Sequence, residues 1–151
     1  MLASAAVRVL ITGATGFAGR HLSSFCISRG HEVHALVRPG REDAVVSGVA
    51  AHPAEIGDAA AVAGVIGAVA PDGIAHLAGA SSVGRSFAEP AATWDVNLGG
   101  TLALLEAVRA TEVAARVLVV TSGEIYGRVP VEDLPVTERT PLNPVSPFDA
   151  P

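Results

Sequence analysis

Short unbroken apolar runs alternate along the chain with stretches in which apolar residues return every three or four positions. The first kind reads as buried strand, the second as amphipathic helix. VRVLIT (7–12) is the first strand. FAGRHLSSFCISRG follows as a helix carrying Phe17, Leu22, Phe25 and Cys26, with Gly30 at its end. HEVHALVR (31–38) is a second strand, with Val33, Ala35 and Val37 on one face and Leu36 on the other. PGRED is a turn, Glu42–Ser47 a short helix, and Val49–Ala51 a third strand. GDAAAVAGVIGAVAP is a helix that begins near Asp58 and stops at Pro71. GIAHLAG (73–79) is the fourth strand. EPAATWDVNLGGTLALLEAVRATE is one long helix entered through Pro90, with Leu98, Leu102 and Leu105 at helical spacing. ARVLVVTS (115–122) is the fifth strand.

Strands that alternate with helices pair in parallel through right-handed crossovers. Strands that are apolar throughout are covered on both faces. The predicted fold is therefore α/β, a doubly wound parallel sheet of five strands in the order 3-2-1-4-5. It occupies residues 1–122. Residues 123–151 form a proline-rich tail with little predicted regular structure, and a tail of that length is functional, disordered or in want of something to pack against.

Composition narrows the picture. The chain of 151 residues can bury one core. Half of it is hydrophobic and its mean hydropathy is +0.45, yet no stretch runs far enough without glycine, proline or charge to span a bilayer. The N-terminus lacks a basic segment of signal-peptide type. A net charge of −5 with no basic run argues against nucleic acid as a partner. One cysteine, Cys26, excludes an internal disulfide and suits a reducing cytoplasm. It reads as a small buried side chain rather than a reactive thiol. The five histidines have no metal-ligand spacing, and His76 reads as a core or loop-contact residue at a strand end.

The chemistry begins at TGATGFAG, which sets Gly13, Gly16 and Gly19 between the first strand and the first helix. Gly13 permits a tight turn, Gly16 a close approach of backbone to a pyrophosphate, and Gly19 close packing of helix on sheet. The helix N-terminus then offers N–H groups and partial positive charge to phosphate. The cradle so drawn includes Phe17, at the start of the helix. A plain tight turn is the alternative. The second strand ends at Arg38, with no acid before Glu42. A guanidinium there suits a 2′-phosphate and favours NADP over NAD.

Gly13-x-x-Gly16-x-x-Gly19, HLAG (76–79), Asn97 in DVNLGGT and TSGEIYG (121–127) together resemble the extended short-chain dehydrogenase/reductases, the NAD(P)-dependent epimerases and dehydratases of nucleotide sugars. The Rossmann-like chain is most similar to the branch of GDP-mannose 4,6-dehydratase and GDP-4-keto-6-deoxy-mannose reductase. The resemblance implies that Glu55 and Ile56 contact adenine, and that Ala78 and Gly79 border the ribose and nicotinamide. It implies that Asn97 holds a helix and an active-site water, and that Ser122 hydrogen-bonds the substrate oxygen. Glu124 matches the acid/base position of the dehydratases, a role that calls for burial. Tyr126 is structural by the same comparison.

The family's chemistry also uses a tyrosine followed four residues later by a lysine. In PLNPVSPFDAP the tyrosine register is held by Phe148, which has no proton to exchange. The lysine would fall just past Pro151, and Ala150 before that proline is steered away from helix. The expectation is a cofactor-binding part that does no redox chemistry alone. The alternatives are one half of a split GDP-sugar enzyme and a non-enzymatic NADP sensor. A nucleotide-sugar substrate would need a completing C-terminal region. Self-association is expected through an uncovered face of the long helix and the edge of the fifth strand.

Overall fold

The computed structural model describes residues 5–149. The expectations placed on Ala150 and Pro151 lie outside the described residues. Strand β1 (Arg8–Thr12) leads through the glycine turn into helix α1 (Phe17–Ser28). Strand β2 (Glu32–Val37) and β3 (Val49–Pro53) are joined across a 3-10 turn at Glu42–Ala44. Helix α2 (Ala59–Val69) precedes β4 (Gly73–His76). Helices α3 (Val83–Ala88), α4 (Pro90–Trp94) and α5 (Gly100–Thr111) then lead to β5 (Arg116–Val119). The five strands are parallel in the order β3-β2-β1-β4-β5, as the alternation predicts.

Neighbouring residues of each central strand feed opposite cores, because side chains alternate across a strand. Leu10, Leu36 and Ile74 pack with Val62, Ile66, Leu104 and Ala107 beneath α2 and α5. Ile11, Ala35, Val37 and Ala75 pack with Cys26 of α1 on the other face. Burial pushes the Cys26 thiol above its ordinary pKa, as befits a packing side chain. Helix α2 starts where Asp58 accepts from the N–H groups of Ala60 and Ala61, at 3.1 and 3.0 Å. It ends at a left-handed Ala70, before the buried Pro71.

Four local expectations change. The fourth strand stops at His76, so Leu77–Gly79 are loop and free to line a cavity. The long helix is interrupted by a π-helical turn at Asp95–Gly99, which widens the backbone around Asn97. Helix α3 was not predicted; Ser82 starts it by accepting from the Arg85 N–H at 3.2 Å. The apolar residues picked out along the helices are not all inward: Phe17, Phe25, Leu98, Leu102 and Leu105 are exposed. Close packing is done by small residues instead. α1 buries Gly19, Ser23 and Cys26, and α5 buries Gly100, Ala103, Leu104 and Ala107.

The tail carries two 3-10 turns, Gly123–Tyr126 and Val131–Asp133. It folds back through hydrogen bonds from Asn143 N to Ile125 O (3.0 Å) and from Trp94 Nε1 to Pro147 O (2.8 Å). It does not cover the β5 side, where Leu118 and Val120 are 60% and 54% exposed.

Candidate functional site

The carboxyl ends of the strands open into two cavities that share the wall Leu77–Ser81. The larger, about 640 Å³, lies over the glycine turn between β1, β2 and β4. Its position is that of ligand crevices in open α/β sheets, outside the strand ends where the order reverses.

The three glycines have different reasons. Gly13 has φ +70°, and an added Cβ would lie 2.7 Å from the backbone of Leu77 and Ala78. Gly19 has no room for a Cβ, which would collide with Gly13 O and lie 2.6 Å from Ala14 Cα. Both are required by the fold. Gly16 has extended backbone, and its Cβ would make one tight contact, 3.3 Å from Gly13 O. It is the one of the three that the fold needs least, and it forms part of the cavity wall. Helix α1 begins there with no side-chain cap and no acid in its first turn. Its N-terminal field is therefore directed at the cavity with no acid of its own first turn against it.

Arg38, Glu55 and Ile56 also line this cavity, with Ala78 and Gly79 opposite. Arg38 is exposed and forms no salt bridge among the described residues, so its guanidinium is available to an anion. Ile56 reaches from the wall into the core, and its Cγ2 would lie 3.1 Å from a Cβ on Gly100. Phe17 stands apart from both cavity walls. Its ring is 84% exposed and lies edge-on to His21, 4.7 Å between centroids. What it can offer a ligand is its N–H, at the first position of α1.

The smaller cavity, about 340 Å³, is bounded by the shared wall, Asn97, Thr101, Val119 at the end of β5, residues 120–122 beyond it, and Phe148. Ser122 lines it, and its Oγ accepts from Glu124 N at 3.2 Å. Ser122 and Phe148, 26 positions apart in sequence, meet here, as the resemblance requires of serine and the tyrosine register. Glu124 does not meet them. Its side chain is exposed and outside both walls, so the burial its acid/base role calls for is lacking. Asn97 is held by Ala80 on both sides: its Oδ1 accepts from Ala80 N (2.7 Å) and its Nδ2 donates to Ala80 O (3.2 Å).

Sequence reading missed Thr12, Thr15, Ser82, Arg85 and Thr101, all of which build the site or its wall. A threonine closing a buried apolar strand was the available signal for Thr12. Arg85 also faces the larger cavity but is held at 2.8 Å by Glu89. Among the described residues no three metal-binding side chains come together, and no helix is long and apolar enough to cross a membrane.

Comparison with known proteins agrees with this geometry. The family model for GDP-mannose 4,6 dehydratase matches residues 10–151. The GDP-6-deoxy-D-mannose reductase of Pseudomonas aeruginosa is 34% identical over 142 residues, covering 93% of this chain and 42% of that protein. A GDP-mannose 4,6-dehydratase of Sordaria araneosa is 34% identical over 146 residues, covering 91% of this chain and 26% of its own length. The UDP-glucose 4-epimerase of Thermus thermophilus, crystallised with NAD, superposes with a TM-score of 0.84 at 36% identity, over 95% of this chain and 46% of that one. The chain spans 26–44% of the length of the curated relatives it matches.

Proposed function

Since the chain belongs to the GDP-mannose 4,6-dehydratase family of nucleotide-sugar enzymes, we propose that it is a dinucleotide-binding unit that holds NADP. The observation that carries this is the glycine turn: Gly13 is locked against the Leu77–Ala78 backbone, and Gly16 opens the floor of a 640 Å³ cavity at an uncapped helix start. Pyrophosphate would sit at Gly16 and the first turn of α1, adenine near Glu55 and Ile56, and nicotinamide along Ala78 and Gly79. Arg38, free of an acidic partner among the described residues, would take the 2′-phosphate. NAD is the alternative, as in the Thermus thermophilus epimerase crystal.

The substrate reading is a GDP-sugar approaching Ser122 from the smaller cavity. NADP would supply hydride exchange there when bound. In this chain Ser122 can orient a substrate oxygen, but Phe148 offers no proton at the position where the family uses a phenol. General acid–base catalysis is typically worth about 10²–10⁴-fold. Conversion of GDP-mannose by this chain is therefore expected to fall at least about 10²–10⁴-fold below that of an enzyme with the phenol in place.

Titration with both cofactors tests the choice. Arg38→Asp is expected to lower the affinity for NADP and raise the ratio of NAD to NADP affinity. An unchanged ratio would make Arg38 a solvated turn residue. Conversion of GDP-mannose by this chain at the rate of an intact enzyme would refute the assignment of Phe148.

A further inference from the structure

The wall between the two cavities is tied down by a chain of buried and half-buried side chains whose hydrogens can be assigned one by one. Thr12 Oγ1 lies 3.2 Å from Leu77 N and 3.1 Å from Ala78 N. Backbone N–H groups only donate, so the hydroxyl accepts from both, sharing the Leu77 N–H with the Thr12 carbonyl oxygen at 3.2 Å. Its own proton must then go to its remaining partner, His76 Nδ1, at 2.7 Å. With Nδ1 accepting, a neutral imidazole carries its proton on Nε2. That N–H donates to Thr101 Oγ1 at 3.1 Å. Thr101 in turn donates to Asn97 O at 2.6 Å, in the π-helical turn. The Asn97 amide closes the circuit by its two bonds to Ala80, three residues beyond Leu77. Every bond in the circuit has one consistent direction, and it encircles Leu77–Ala80.

We propose that His76, in its Nε2–H form, is the positioning residue that fixes the shared wall at Leu77–Ala80 and so sets how the nicotinamide half of a dinucleotide passes from the glycine cavity to the Ser122 cavity. This rests on the dinucleotide site proposed above. Three observations support it. His76 is 2% exposed, and burial lowers its pKa, so the neutral ring the circuit needs is the favoured form. Thr12 immediately precedes Gly13, so the circuit begins at the glycine turn itself. Gly79, inside the circuit, packs tightly against it: an added Cβ would lie 3.1 Å from Asn97 Oδ1 and would have to shift that amide. The adenosine end of the cavity, at Arg38 and Glu55, has no residue in the circuit.

That asymmetry supplies the test. NADP occupies the whole cavity, whereas adenosine 2′,5′-bisphosphate occupies only its adenosine end. His76→Leu removes both bonds of the ring and is expected to weaken NADP roughly tenfold, the worth of one to two hydrogen bonds. Binding of the bisphosphate should stay within about twofold of the unmodified chain. His76→Asn, which restores an acceptor for Thr12, should recover part of the loss. Equal weakening of both ligands, or of neither, overturns the proposal. If neither ligand binds the unmodified chain, it is the dinucleotide site that fails. Nitrogen NMR of the unmodified chain keeps the proposal testable should the variants not fold. The His76 ring should show a protonated Nε2 and an unprotonated Nδ1, and both signals should move on addition of NADP but not of the bisphosphate. A proton on Nδ1, or signals indifferent to NADP, contradicts it.

Discussion

The inner strands of the sheet and its β5 edge are built differently around a common wall. On the β1–β2 side every strand residue after the second or third is covered, by Gly19, Ser23 and Cys26 of α1 on one face and by Val62 and Ile66 of α2 on the other. On the β5 side alternate strand residues are exposed, and Trp94, Leu98, Leu102 and Leu105 point outward from α4, the π-helical turn and α5. Their spacing of four, four and three places them in one helical stripe. The first side is closed by its own helices. The second presents apolar surface of the kind that marks an interaction face. The glycine cavity borders the first side and the Ser122 cavity the second.

The sharpest way to break the contrast is at the turn. Gly13→Ala forces a left-handed side chain into backbone 2.7 Å away. It should destabilise the domain by about 3 kcal/mol or more, read by urea unfolding. Helix α5 offers a matched pair next. Leu104 is fully buried, and Leu104→Ala should cost about 2–5 kcal/mol. Leu102, two residues earlier and 52% exposed, should tolerate alanine within about 0.5 kcal/mol. If the β5 side does associate with a second copy, Leu102→Lys should lower the mass seen by light scattering, while Leu104→Ala acts on stability alone. A monomer unaffected by Leu102→Lys would leave that side a plain exposed face.

A smaller effect distinguishes the two sides by pH. Burial lowers the pKa of His76, and burial followed by the neighbouring charge of His34 lowers that of His52. His34 Nδ1 and His52 Nε2 lie 2.9 Å apart across β2 and β3. His76 and His52 bind protons more weakly folded than unfolded, so the unfolded chain takes up more protons as acid is added. Stability should be complete above about pH 6.5 and decline as pH falls from there toward the lowered folded values. His76→Leu should flatten part of that slope in thermal melts taken between pH 7 and 5. An unaltered slope would assign the whole effect to His52.

The sheet was legible because its signal is dense: continuous apolar strands, alternating helices and one glycine turn leave few topologies. Gly13 and Gly19 could be placed from their spacing, since geometry alone demands them. Ser122 and Phe148 were found by resemblance, and the fold does bring both to one cavity. Phe17 and Glu124 turn their side chains away from both cavities, which neither spacing nor motif reports. Leu98, Leu102 and Leu105 misled for a related reason: helical periodicity finds an apolar stripe, not its partner. Helix α3 escaped notice since VGRSFA has no apolar stripe, and its start depends on one serine cap. The Thr12–His76–Thr101 chain was invisible because its members are 64 and 25 residues apart and meet only in the folded sheet.

The central claim is that Gly16 leaves its space for a pyrophosphate. Isothermal calorimetry of the chain and of Gly16→Val with NADP measures this directly. Of the three glycines Gly16 is the least constrained by the fold, so the variant should unfold close to the unmodified chain while its branched side chain fills the pyrophosphate's approach. The account predicts saturable binding to the unmodified chain and none to a folded Gly16→Val. Equal affinity in the two would contradict it.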